Sequence, residues 1–369
     1  MTLEAAPPSH PPSGHVPSDH RPAALRIARL ALFFLISFFL FILGLQLIKC
    51  GAKPLTFWFK PVGTTTVRGA LGAGWLLACV VLSGSPVAGI SLSLLDKGDL
   101  NTAESFGMIT GSRLGASFVV LVVGFLYDLR AHKERGGVYV GALALITTAV
   151  IYVPAFFLGY WVLEKGWIDG VRFSLPEKFV SVLDLLVRPV VDFTGVFLPP
   201  WGQSVLGVMV LVGAFKLFDG FLPVIDPTGG KLSKMATTIY RPWITFLFGM
   251  LVTSFTLSVS VSLTVLVPQT ARRLVRRENL IPYIMGANIT TFIDTLVASL
   301  LLSNKSGFTV VLCEMATVTI ISLPIVFFAY RPYERFVDAL AQAVTRDRFR
   351  LTLFVVGLFA VPLILIWMQ

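Results

Sequence analysis

Charge is scarce in this sequence. Only 14% of its 369 residues are Asp, Glu, Lys or Arg, 55% are hydrophobic, and the mean hydropathy is +0.81. That balance excludes a disordered chain and an ordinary soluble globule. Cysteine is scarcer still. Cys50, Cys79 and Cys313 are scattered and odd in number, so no disulfide framework is implied. No C-x-x-C pair, zinc-ligand spacing or Gly-rich phosphate loop is present. His10, His15 and His20 lie in the Pro- and Ser-rich opening MTLEAAPPSHPPSGHVPSDHRP, and His132 is the one histidine beyond it. With no nucleophile–base constellation, an enzyme is not expected. The alternating pattern of a membrane barrel is also missing, which leaves helices to satisfy the backbone in lipid.

What the chain has is apolar runs long enough to cross a bilayer, which takes about 20 residues. They are Leu30 to Ile48, Phe106 to Tyr127, Val138 to Leu163, Trp201 to Ile225, Leu280 to Leu302, Phe308 to Tyr330 and Leu351 to Trp367. Two further apolar stretches, Gly69 to Leu95 and Trp243 to Val267, are broken by small and polar residues. Reading these two as re-entrant hairpins places the basic loops 128–137, 226–242, 270–279 and 331–350 on one side with the N-terminus. Lys and Arg collect on the cytoplasmic side, so the net charge of +10 reports topology and no nucleic-acid partner is expected. Asn101 with Glu104 has the spacing of a capping box and predicts a helix start there.

The two interrupted stretches resemble each other. Each holds L-S-x-S: Leu82-Ser83-Gly84-Ser85 and Leu257-Ser258-Val259-Ser260. Each is followed by a polar patch opened by glycine, GSRLGAS at 111–117 and GANITTF at 286–292. Gly74 to Gly249, Ser85 to Ser260 and Gly111 to Gly286 share one offset of 175 residues. The repeat unit of helix, hairpin, helix, helix makes three full crossings. An odd number turns the second copy over, and inverted repeats with broken mid-membrane segments are transporter architecture.

At these residues the chain resembles the type II sodium–phosphate cotransporters. That family carries Q-S-S-S in each of two hairpins and G-A-N-I-G-T-T in the following helix. GANITT (Gly286 to Thr291) is close to the second motif, and GSRLGAS stands for the first. Leu82 and Leu257 replace the glutamines, Gly84 and Val259 replace a serine each, Thr290 replaces a glycine, and Arg113 stands at the first asparagine. The resemblance implies that Ser83, Ser85, Ser258 and Ser260 contact substrate, and that Asn288, Thr290 and Thr291 contact sodium. Arg113, inside an apolar helix, is expected either to serve the anion as a fixed charge or to pair with Asp294. Glu314 is a candidate coupling group. A hydroxyl in a membrane helix can instead bond back to its own backbone.

The expectation is an all-α polytopic membrane protein with an inverted repeat. Residues 1–24 form a disordered cytoplasmic tail, 25–163 the first repeat, 164–200 an extracytoplasmic or interfacial connector, and 201–330 the second repeat. Residues 331–369 form a basic loop and a last transmembrane helix. The function implied is sodium-coupled symport of inorganic phosphate or a related anion, with no cofactor beyond the coupling ion. The alternatives are an anion transporter without sodium coupling and a non-transporting scaffold or sensor. Short loops point to a bacterial inner membrane.

Overall fold

In the computed structural model, the described residues are 23–50, 66–131, 136–168, 170–171, 177–221, 241–256, 258–264, 266–271, 277–302 and 305–368. Among them the chain forms helices and no strand. The first series is α1 (Ala23–Cys50), α2 (Val67–Val81), α3 (Ser85–Lys97), α4 (Thr102–Ala116), α5 (Phe118–Ala131) and α6 (Gly136–Glu164). After α7 (Glu177–Phe197) comes a second series: α8 (Pro200–Phe221), α9 (Pro242–Thr256), α10 (Val259–Thr264), α11 (Leu266–Ala271), α12 (Leu280–Thr290), α13 (Phe292–Leu301) and α14 (Lys305–Phe328). The chain closes with α15 (Tyr330–Thr345) and α16 (Arg348–Trp367).

Six rods among the described residues are long and apolar enough to cross a membrane. They are Thr102–Leu129, Gly136–Glu164, Pro200–Leu217, Leu280–Leu301, Ser306–Phe328 and Arg348–Trp367. The chain is an integral membrane protein. Helix α1 adds the apolar stretch Leu35–Ile48 and packs along α8. The arms α2 and α3 have 15 and 13 residues. At 1.5 Å per residue each is about 20 Å long, short of a hydrocarbon core of about 30 Å. They therefore form a re-entrant pair. The matching arm α9 has 15 residues and is followed by the short α10 and α11.

The offset of 175 reappears in the geometry: shifting α2, Val67–Val81, by that amount lands on the bounds of α9, Pro242–Thr256. Glycines join each arm to the next helix. A Cβ on Gly74 would lie 2.1 Å from the Met108 carbonyl oxygen, and one on Gly249 would lie 2.1 Å from that of Tyr283. From the other side, Gly111 meets the Leu71 carbonyl at 1.9 Å and Gly286 meets that of Phe246 at 2.0 Å. Each pair of partners again differs by 175 in number. Lipid provides no hydrophobic force between helices, so close backbone approach at small residues holds them.

Contacts across the series follow the same relation. Helix α3 packs on α13 while α10 packs on α5, and α4 packs on α14 while α12 packs on α6. The two series are therefore exchanged by an approximate two-fold relation.

Three local features add to or depart from expectation. The capping box forms, with Asn101 Oδ1 accepting from Glu104 N at 2.9 Å and Glu104 Oε2 from Asn101 N at 2.8 Å. The rod it opens is broken at Ser117, however, and its counterpart is broken at Thr291. Part of the expected basic loop 331–350 is the helix α15. Its Tyr330, Tyr333, Val337 and Ala341 recur every three or four residues and are buried. Tyr333 donates to the Thr147 carbonyl at 3.4 Å, and Tyr139 hydrogen-bonds Asp338, which docks α15 on α6. Finally, the connector 164–200 holds α7, which turns Val187 and Val191 to α1 and exposes Leu185, Leu186, Phe193 and Phe197. The expected tail as far as residue 22, His132, Leu257 and the loop residues 222–240 and 272–276 lie outside the described residues.

Candidate functional site

Helix α4 carries Thr110 and Arg113 one turn apart, on one face. The Arg113 guanidinium is held from three elements. Its Nη1 donates to Ser85 Oγ of α3 at 3.4 Å and to Thr291 Oγ1 at 3.2 Å, at the break between α12 and α13. Its Nη2 hydrogen-bonds Thr295 Oγ1 and lies 3.6 Å from Asp294 Oδ1, both on α13. The guanidinium carbon sits 4.8 Å from the centroid of the Phe292 ring, a cation–π contact. Asp294 Oδ1 also accepts from the Thr295 hydroxyl at 2.8 Å.

Glu314 reaches the same face of α4 from α14. Its Oε2 lies 2.8 Å from Thr110 Oγ1, and its Oε1 is buried without a hydrogen-bond partner. Arg113, Asp294 and Glu314 are 2%, 5% and 1% exposed, so one cation and two carboxylates share a closed interior. Ions placed there need partners, because desolvating a lone charge costs several kcal/mol at about the least.

The other residues singled out in the sequence divide by position. Ser260 Oγ of the second hairpin donates to the Leu82 carbonyl of the first at 3.5 Å, so the two hairpin tips touch. Leu82 reverses the chain with φ 57°, in the left-handed region that a leucine adopts at a cost of about 1–2 kcal/mol. Ser258 Oγ accepts from Val261 N at 3.3 Å and so caps α10. Ser83 lies half-buried at the first tip.

The expected sodium ligands point to different neighbours. Asn288 Nδ2 donates to Thr148 Oγ1 at 3.1 Å, and the Asn288 carbonyl accepts from the Tyr152 hydroxyl at 2.8 Å, both on α6. Thr290 donates to the Met250 carbonyl of α9 at 2.9 Å. In the first series Gly115 stands at that place, and its Cβ position is 2.2 Å from the Trp75 carbonyl. Thr290 thus bonds the carbonyl that corresponds, 175 residues on, to the one its counterpart glycine packs against. Thr291 faces the Arg113 guanidinium, whose charge opposes a cation there.

Thr110, Tyr152 and Thr148 belong to the network without being singled out in the sequence, whereas Phe292 and Thr295 lie in the polar stretch Ile284 to Thr295. Thr110 and Thr295 had a readable signal, since they stand three and four residues from Arg113 and Thr291 on their helices. Tyr152 and Thr148 had none, because the partner they share, Asn288, is more than a hundred residues away. Comparison with family models, curated proteins and solved structures finds no match to the chain.

Proposed function

We propose that the protein is a secondary transporter of a small oxyanion, phosphate or a relative, working by alternating access. The observation that carries this reading is the meeting of two repeat-related hairpin tips, Ser260 on Leu82, beside the buried Arg113 cluster. Re-entrant backbone in a membrane is tolerated where protein or a cavity covers its polar groups. Rocking one series against the other opens that cavity to each side in turn. In this reading Arg113 and the serines of the hairpins hold the anion. Ser85 begins α3, whose N-terminal cap residue Gly84 contributes no side-chain bond, so first-turn N–H groups are left for an anion.

The resemblance implies sodium as the driving ion. The arrangement supports a transporter without sodium at Asn288, Thr290 and Thr291, because these three diverge and Arg113 stands at the repeat position of Asn288.

The test is uptake of labelled inorganic phosphate into liposomes holding the purified protein, with sodium outside and with potassium in its place. Phosphate movement of equal rate in both supports the reading. Movement that requires sodium restores the coupled symporter. Absence of phosphate movement in both removes phosphate transport and favours a scaffold or sensor that keeps the fold.

A further inference from the structure

Glu314 belongs to the second series and Thr110 to the first, so their contact crosses the interface between the repeats. Thr110 Oγ1 lies 2.8 Å from Glu314 Oε2 and 3.0 Å from the Phe106 carbonyl oxygen. A hydroxyl carries one hydrogen, and a carbonyl oxygen can only accept. Either Thr110 shares its one hydrogen between the two oxygens, or it donates to Phe106 while Glu314 donates to it; the buried, unpartnered Oε1 of Glu314 favours the second. A donating Glu314 is a protonated Glu314. Asp294 also has one buried oxygen without a partner, Oδ2, but differs in that its Oδ1 receives the Thr295 hydroxyl and lies 3.6 Å from Arg113, an ion-pair partner that Glu314 lacks among the described residues.

The charges around Glu314 agree. From α4, Arg113 acts on it but is committed to Asp294, Ser85, Thr291 and Thr295. From α6 the titratable group acting with it is Tyr152, which donates to Asn288. On α14 it is Cys313, bonded to the Gly159 carbonyl. From α13 the charged group is Asp294, turned to Arg113. Among the described residues, α3, α9, α12 and α15, which also pack on α14, bring no ion-pair partner to it. An ionised carboxylate so placed is strongly disfavoured.

We propose that Glu314 binds a transported proton and that this proton, bound together with the anion, is the coupling ion. The proposal rests on the transporter reading. With Glu314 protonated, Arg113 and Asp294 cancel and the site accepts an anion. With Glu314 ionised, two carboxylates face one guanidinium and the site repels an anion. When the interface between α4 and α14 opens, water reaches Oε1. The carboxyl O–H bond then breaks, its electron pair stays on Glu314, and the proton leaves on water.

The test has two arms on the full chain in liposomes. Infrared difference spectra across a pH titration read the carbonyl stretch of a protonated, buried acid. It is expected in the wild type at neutral pH and lost in Glu314→Gln. No such band, or one unchanged in Glu314→Gln, overturns the proposal. If that variant does not fold, the isotope-edited glutamate band of the wild type decides the same point. The second arm measures labelled phosphate uptake with and without an inward proton gradient. Stimulation in the wild type, lost in Glu314→Gln and recovered in part by Glu314→Asp, supports coupling. Phosphate movement indifferent to the gradient overturns it. If no phosphate moves at all, the transporter reading fails for phosphate, and the infrared arm alone decides whether Glu314 is a proton site.

Discussion

Arg113 and Asn288 stand 175 residues apart at matching places in α4 and α12, yet they bind different parts of the molecule. Arg113 reaches across the repeat interface to Asp294, Thr291 and Thr295 of α13 and its junction. Asn288 also crosses it, but to Thr148 of α6. The fold is near-symmetric, but its buried cation lies in the first series and its buried carboxyl groups in the second.

That placement makes Arg113 costly to remove. Arg113→Ala leaves Asp294 buried and uncompensated, and a loss of about 3–5 kcal/mol is expected. Replacing both residues by leucine is expected to recover most of that stability while phosphate movement stays lost. Thermal unfolding in detergent, run beside liposome uptake, checks both halves. Full uptake by the double variant would show that the pair only holds the fold.

The glycine contacts give a paired expectation. Gly74→Ala and Gly249→Ala each drive a methyl group to 2.1 Å from a carbonyl oxygen, and helices must separate to admit it. A loss of about 1–3 kcal/mol is expected for each, as for other overpacked sites. Gly357, on α16, has nothing within 4 Å of its Cβ position. Gly357→Ala is expected to be neutral or to stabilise by up to about 1 kcal/mol through helix propensity. The same unfolding measurement compares the three.

Thr290 offers a smaller effect. Thr290→Val keeps the shape and removes the hydroxyl that bonds Met250. A loss of about 0.5–1.5 kcal/mol is expected, the usual net worth of one hydrogen bond. An unchanged melting temperature would show that this bond contributes nothing to holding α9 on α12.

The hairpin contact is open to chemistry. Cysteines placed at Leu82 and Ser260 are expected to be joined by a short bifunctional thiol reagent, because Ser260 Oγ and the Leu82 carbonyl are 3.5 Å apart. Native Cys79 and Cys313 are buried, and with Cys50 replaced by serine reaction is favoured at the introduced pair. Joining the tips is expected to stop phosphate movement, and a reducible reagent to restore it on cleavage. Uptake that continues with the tips joined would place the moving interface elsewhere.

Much of the frame was legible because it is written in local or periodic signals. Runs such as Val138 to Leu163 announce spans by length and apolarity alone. Asn101 and Glu104 announce a helix start because both partners lie within one turn. The constant 175-residue offset between Gly74 and Gly249 announces the repeat, and the matched carbonyl contacts at those glycines bear it out. The breaks at Ser117 and Thr291 were not legible, since neither position holds a proline or a glycine. Helix α15 was obscured by its arginines, which outweigh the Tyr330, Tyr333, Val337 and Ala341 stripe when the segment is read by charge.

By itself the sequence determined that this is a helical membrane protein with two hairpins and an internal repeat, because hydropathy, length and spacing act along the chain. Only the tertiary structure decided that Arg113 turns to Asp294, that Asn288 and Thr290 turn away from each other, and that Glu314 meets Thr110 across 204 residues. A buried polar group must take whichever partner the packed helices bring within about 3 Å. Which partner that is depends on helix rotation and crossing, which no single segment specifies.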